Sequence, residues 1–165
     1  MKGQAPLISY SLTVLLGIIL IFLFSTMLFS FYSSFLKSEI KNNLENLAIS
    51  LSNNIIAFYE FANTSNFFPK NSSCFLIGEK NLEFPKKILN RNYEIFVKPS
   101  EENFLIVATT QDPLETVENK IPKIQVSFQG KIKSGKSSKL YYYRCNLNNF
   151  ITDKVVLGEL NASSN

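Results

Sequence analysis

Residues 130–137 read GKIKSGKS, which matches the phosphate-binding pattern G-x-x-x-x-G-K-[ST]. Such a loop binds phosphate when a strand precedes it and a helix begins directly after it, because the helix N-terminus then faces the anion. The following residues, SKLYYYRC, contain three tyrosines and no helical apolar stripe, which favours a strand. Glycine, serine and lysine are also the residues that a solvated hairpin turn needs. We therefore interpret the segment as a turn and expect no nucleotide binding.

Other residues that could support catalysis or bind a metal are few. The chain has no histidine, which is a frequent general base and the commonest metal ligand. Its 13 acidic residues form no tight cluster along the sequence. Cys74 and Cys145 alone would lack further ligands for a metal. We expect a protein that is not an enzyme and that has neither a metal site nor a cofactor.

Cys74 and Cys145 are the two cysteines of the chain. An even pair in an exported domain indicates a disulfide, whereas two small buried apolar residues are the alternative interpretation. We favour the disulfide, which requires that the two Cα atoms lie about 4.4–6.8 Å apart.

Four lysines, Lys131, Lys133, Lys136 and Lys139, concentrate around the predicted hairpin, and Tyr141 to Tyr143 follow them. Lysines combined with aromatic side chains can bind the backbone and the bases of nucleic acid. A solvated hairpin tip explains the same residues, and we favour it over a nucleic-acid partner.

Three N-x-S/T sequons occur, at Asn63, Asn71 and Asn161. In an exported chain these sequons permit N-glycosylation. A chain so rich in Asn, Ser and Thr contains about this number by chance, so they do not indicate the modification.

The N-terminal region carries no charge between Lys2 and Lys37, a run of 34 residues from Gly3 to Leu36. About 20 apolar residues are enough to cross a bilayer as a helix, and the rest of the chain has no second such run. A cleaved secretory signal, the alternative, has an apolar stretch of about 7–15 residues that a small-x-small site closes. Because this run is longer and lacks such a site, we expect one retained span in contact with membrane lipid.

The residues beside the run give the orientation. The N-terminal flank is short and carries Lys2 without an acid, whereas Lys37 and Lys41 beyond the run are offset by Glu39 and Glu45. Positive residues stay on the cytoplasmic side. With the cysteine pair, this favours a cytoplasmic N-terminus and an extracellular C-terminal domain.

Lys2, Gly3 and Gln4 stand directly before the apolar run. This arrangement resembles the class III signal peptide of archaeal type IV pilin-like proteins. The resemblance implies that a prepilin peptidase cuts between Gly3 and Gln4 and that the helix remains in the mature chain. Gln4 and Leu12 match the family pattern, whereas Pro6 replaces a common serine and Ile8 replaces the expected glutamate.

Ile8 decides which kind of pilin-like protein we expect. In this family the resemblance implies that the glutamate pairs with the terminal amine of a neighbouring subunit. A carboxylate in an apolar bundle is costly unless it is paired, so it fixes the register of packed helices. Without it, we expect a minor or tip-like subunit of an archaeal type IV pilin-like surface filament, with other pilin-like subunits as partners. The alternative is a monomeric single-pass membrane-anchored surface module with an unknown partner.

The predicted fold class is α+β, a long N-terminal membrane-spanning and stalk helix followed by a small antiparallel β-sheet domain. Beyond the span, apolar residues recur with helical spacing at Ile40, Leu44, Leu47, Leu51, Ile55 and Phe58. From Leu51 to Phe58 we expect this stripe to pack on the chain's own domain. From Ile40 to Leu47 the sequence leaves open whether it packs there or on other subunits.

The remaining sequence is rich in β-forming residues, and we expect five or six antiparallel strands with hairpins at 100–103 and 133–138. The strand candidates are 74–78, 92–99, 104–110, 123–132, 139–147 and 154–160. The predicted organisation is leader 1–3, transmembrane or assembly helix 4–36, helical stalk 37–61, linker 62–73 and antiparallel β-domain 74–165.

Overall fold

A computed structural model of the chain describes residues 4–64, 69, 73–112, 114–122, 124–136, 138–147 and 150–158. Helix α1 extends over Gln4–Thr64. No proline interrupts it after Pro6, which lies in the first turn, where a missing N–H is tolerated. Its end is three residues beyond the predicted one, and most of the predicted linker lies outside the described residues.

The described residues also form seven strands in one sheet. The order across the sheet is β1-β6-β7-β5-β2-β3-β4, and every neighbouring pair except β5 and β7 is antiparallel. This confirms the predicted α+β class. The strands are β1 (Ser73–Asn81), β2 (Tyr93–Pro99), β3 (Asn103–Thr110), β4 (Thr116–Pro122), β5 (Val126–Lys133), β6 (Lys139–Leu147) and β7 (Phe150–Leu157).

The C-terminal half of α1 packs on this sheet through the predicted stripe. Four of its residues, Ile40, Leu44, Leu51 and Ile55, are fully buried, and Leu47 and Phe58 pack against the same core. Inward-facing residues of the strands complete the core, among them Ile95, Ile106 and Tyr142. The stripe is therefore occupied by the chain's own sheet along its whole length, including the part from Ile40 to Leu47 that the sequence left open.

The pairing of β5 corrects the predicted hairpin at 133–138. On one side β5 pairs with β2, through Lys131 to Lys133, and on the other it pairs with β7 in parallel. Because β7 lies between β5 and β6 in the sheet, these two strands do not pair. The hairpin predicted there is wrong, and the sheet is mostly rather than wholly antiparallel. The predicted hairpin at 100–103 is confirmed, because β2 and β3 pair directly.

The strand count also exceeds the predicted five or six. The additional strand is β4, whose residues are largely polar and of which Val117 and Ile121 are buried. Such a sequence indicates an exposed edge and carries little β-forming signal. β7 begins at Phe150, four residues before the predicted start.

By their contacts the residues form two units, one ending at Glu39 and one beginning at Ile40. The first consists of the apolar part of α1. The second contains the rest of α1 and the sheet.

Candidate functional site

The apolar part of α1 has an unusual surface. Of residues 10–36, all except Gly17, Ser33 and Leu36 are exposed, and most of them carry large apolar side chains. Exposed apolar surface of this extent is unfavourable in water and marks a contact with lipid or protein. By length and composition, α1 is a candidate membrane span.

The predicted leader site is only partly described. Gly3 lies outside the described residues, and Gln4 is the first residue of α1. The side chains of Gln4 and Ile8 are also outside the description. The structure therefore leaves the predicted cleavage between Gly3 and Gln4 as a prediction.

Cys74 and Cys145 form a disulfide between β1 and β6. The two residues are direct partners in the antiparallel pairing of these strands. Their Cα atoms are 4.0 Å apart, which is slightly closer than the predicted range and than the roughly 4.5 Å of the closer type of antiparallel pair. The alternative of two free buried cysteines is excluded.

A buried charged cluster lies beside the disulfide. Arg144 on β6 and Asp153 on β7 are opposite each other, and they are 6% and 5% exposed. The guanidinium donates twice to the carboxylate, from Nε to Oδ1 at 2.9 Å and from Nη2 to Oδ2 at 3.1 Å. The buried Tyr142 hydroxyl donates to the same Oδ2 at 2.8 Å. The carboxylate is therefore well satisfied although it is buried.

Burial and hydrogen bonding shift the pKa values of two groups in this cluster. Burial, followed by the hydrogen bond to Asp153, raises the pKa of the Tyr142 hydroxyl far above its ordinary value. Hydrogen bonding to Asp153 raises the pKa of the Arg144 guanidinium. Tyr142 thus remains a neutral donor, and Arg144 remains charged.

The same arginine also closes the C-terminal end of α1. Its Nη1 donates to the carbonyl oxygen of Ala62 at 2.5 Å, and its Nη2 to Oδ1 of Asn63 at 3.2 Å. The last turn of α1 contains no basic residue of its own. Because the last carbonyls of a helix lack intrahelical donors and carry partial negative charge, Arg144 provides both a donor and a compensating cation.

One of the three sequons belongs to this junction. The Oδ1 atom of Asn63 accepts the hydrogen bond from Arg144. Asn71 and Asn161 lie outside the described residues. The contact explains Asn63 as part of a helix end and leaves glycosylation a prediction.

The predicted lysine cluster lines an open cavity of about 360 Å³. Lys131, Lys133 and Lys136 line it together with Asn92 and Gln111. Lys131 also pairs with Glu94, at 2.6 Å between Nζ and Oε1. Lys139 is the first residue of β6 rather than part of the lining.

The tyrosines that follow the lysines do not form a base-stacking surface. Tyr142 is fully buried in the core, and Tyr141 is nearly so. Tyr141 and Tyr143 stack on each other with ring centroids 6.5 Å apart. Since base stacking requires accessible ring faces, this arrangement does not favour single-stranded nucleic acid as a ligand.

The phosphate-binding pattern lacks the helix that it requires. Residues 134–136 form a turn, and the next described element is strand β6 rather than a helix. Within the described residues, no group of three His, Cys, Asp or Glu side chains is placed to hold a metal ion.

Comparison of the chain with protein-family models, with curated proteins and with solved structures gives no match. Its function must therefore be inferred from its own residues and contacts.

Proposed function

We propose that this protein is a minor or tip-like subunit of an archaeal type IV pilin-like surface filament, inserted and assembled through the apolar part of α1. The observation that carries the proposal is the exposed apolar surface between Tyr10 and Phe35. A surface of this length matches the hydrocarbon core of a bilayer, or the apolar bundle of a filament that forms from it.

The disulfide supports the proposed orientation. A bridge between Cys74 and Cys145 persists in an oxidising environment, such as the outside of a cell. Together with the positive charge of Lys2 before the apolar run, this supports an extracellular β-domain and a cytoplasmic N-terminal side.

The alternative function, a monomeric membrane-anchored surface module, is favoured by one observation. The stripe from Ile40 to Phe58 packs on the chain's own sheet. It is therefore not available to neighbouring subunits, which leaves the apolar part of α1 as the helical surface that could contact either lipid or other subunits.

Processing of the leader is the experiment that tests the pilin-like proposal. The full chain, expressed in an archaeal host with a prepilin peptidase, is expected to lose residues 1–3 and to begin at Gln4. Gly3→Val is expected to block this cleavage, because a bulky residue replaces the one that the peptidase requires. N-terminal sequencing and intact mass of the membrane-extracted protein measure the result.

A matched glycine variant makes this experiment specific. A Cβ atom added at Gly17 meets nothing within 4 Å beyond its chain neighbours and the local helix backbone, so Gly17→Val should be cleaved like the unaltered chain. Intact Met1 in a host with an active peptidase contradicts the pilin-like proposal and leaves the anchored module.

Self-assembly distinguishes a minor subunit from a major one. Because Ile8 cannot neutralise the terminal amine of a neighbour, we expect the detergent-extracted protein to be a monomer or a small oligomer. We also expect few copies per filament wherever it co-purifies with one. Light scattering and quantitative mass spectrometry measure these quantities.

Two results would require a different assignment. Long filaments of this chain alone would contradict the inference from Ile8 and indicate a major subunit. A membrane protein without any pilin-like companion would favour the anchored module.

A further inference from the structure

Two contacts show at which end of the sheet the chain enters the β-domain. Phe58 stacks on Tyr142 with ring centroids 6.0 Å apart, and Ala62 accepts a hydrogen bond from Arg144. The part of α1 that begins at Ile40 and strand β6 therefore run in the same direction. Ile40, about 27 Å before Phe58 along the helix axis, lies toward the end of the sheet at which β6 begins.

We call this end the proximal end and define it by the described residues of the connections 82–92, 111–115 and 134–138. The strand pairing places these connections together, because Asn81 is opposite Lys139 and Thr110 is opposite Tyr93. The backbone hydrogen bond from Ser134 to Tyr93 joins the third connection to the start of β2.

The first of these connections exposes a leucine in a conformation that leucine rarely adopts. Leu89 and Asn90 have positive φ angles of 46° and 66° and form a two-residue turn, closed by hydrogen bonds in both directions between Ile88 and Arg91. Glycine and asparagine are the usual residues in such turns. Leu89 is 47% exposed, so the packing of the domain does not account for it. Backbone strain at an exposed residue points to a function outside the fold.

The second connection exposes another leucine, and both connections contribute to the lysine cavity. Leu114 is 75% exposed. Asn92 follows the first turn and Gln111 begins the second connection, and both line the cavity beside Lys133 and Lys136. These two lysines have no acidic partner within ion-pair distance in the described part of the chain. Three lysines and one carboxylate, that of Glu94, line the cavity, so it carries an excess of positive charge beside the protruding apolar side chains.

We propose that the proximal end docks on the bilayer surface, with the phosphate groups of anionic lipids in the lysine cavity and with Leu89 and Leu114 in the interfacial layer. Cationic and apolar side chains presented together are typical of surfaces that bind anionic membranes. This proposal rests on the proposed membrane span. If Leu36 ends the span, chain length alone keeps the Cα atom of Ile40 within about 14 Å of that of Leu36.

Hydrogen exchange of the full chain in lipid nanodiscs tests the docking. In nanodiscs that contain phosphatidylglycerol, we expect the amides of residues 86–92 to exchange about fivefold more slowly than in nanodiscs of phosphatidylcholine alone. The amides of residues 100–102, at the opposite end of the sheet, should exchange equally in both.

Three variants separate docking from folding. Leu89→Asn is expected to raise the unfolding temperature, because asparagine tolerates the turn, and yet to remove most of the protection in anionic nanodiscs. Lys133→Gln with Lys136→Gln should remove the dependence on anionic lipid. Lys98→Gln with Lys120→Gln, the same charge change on exposed positions of β2 and β4, should leave the protection intact.

Three results would overturn the docking proposal. The first is equal exchange of the amides of residues 86–92 in both kinds of nanodisc while the chain stays in the nanodisc. This result would contradict docking but not the proposed span. The second is an equal loss of protection in the Lys133→Gln with Lys136→Gln variant and in the Lys98→Gln with Lys120→Gln variant. A chain that does not remain with the nanodisc on flotation overturns the span and, with it, the docking.

Discussion

Arg144→Met is expected to lower the free energy of unfolding by about 3–5 kcal/mol, because it leaves the Asp153 carboxylate buried without its cation. The substitution also removes the donor to the carbonyl of Ala62 at the end of α1. A helix end without a partner is destabilised further. Urea unfolding of the full chain in detergent, followed by circular dichroism, measures the loss.

A second ion pair of the same domain gives a matched control. Arg91 and Asp112 are 3.9 Å apart, and the Asp112 side chain is 99% exposed. Because water solvates the Asp112 carboxylate fully and the Arg91 side chain in part, this pair should contribute little. Arg91→Met should therefore leave the unfolding midpoint within experimental error. Equal effects of Arg91→Met and Arg144→Met would contradict the inference that the buried cluster stabilises the contact between the end of α1 and the sheet.

A double variant distinguishes the lost pair from general damage to the core. Arg144→Met with Asp153→Leu removes both charges and places two apolar side chains opposite each other, while the buried Tyr142 hydroxyl loses its acceptor. Because an apolar replacement avoids the cost of an unpaired buried carboxylate, the double variant should be more stable than Arg144→Met alone. A double variant that is less stable would indicate that shape, rather than charge, dominates this site.

The sequence predicts the elements of this fold better than their arrangement. Helical periodicity identifies the stripe from Ile40 to Phe58, and the β-rich run that contains Arg144 matches β6 from Lys139 to Leu147. These signals are local. The position of β7 between β5 and β6 depends on long-range pairing, which short-range periodicity does not encode, and a short turn sequence therefore suggested a hairpin that does not form.

The buried cluster could have been found from the alternation of side chains along β6. Leu140, Tyr142 and Arg144 are two residues apart and therefore share one face of the strand. Since Leu140 and Tyr142 are in the core, Arg144 is buried with them and requires an acid. The sequence does not show which acid this is, because Asp153 comes opposite Arg144 only through the pairing of β6 with β7.

The two candidate functional surfaces also differ in whether the sequence alone identifies them. The apolar run before Lys37 is recognisable from composition alone, because a continuous stretch of apolar residues needs no partner to be identified. The lysine cavity is not recognisable from composition, because Asn92 and Gln111 come close to Lys133 only through the pairing of β2 with β3 and β5. The strained turn at Leu89 has no sequence signal, because Leu-Asn is not a typical pair for this turn type.

Removal of the disulfide, by Cys74→Ser with Cys145→Ser, is expected to lower the free energy of unfolding by about 2–5 kcal/mol. The effect should be concentrated in β1. This strand lies at an edge of the sheet, pairs with β6 alone and is largely exposed, with Ile77 as its contact with the core. The bridge thus supplies the attachment that β1 does not gain from burial.

Hydrogen exchange shows which strand is destabilised when the disulfide is removed. In the double serine variant, the amides of β1 should exchange much faster than in the oxidised chain. Those of β4, the opposite edge strand, should change little, because Val117 and Ile121 bury it independently of the bridge. Unchanged exchange in β1 would show that backbone pairing with β6 suffices. Free thiols at both cysteines in protein from native membranes would remove the support that the disulfide gives to an extracellular β-domain.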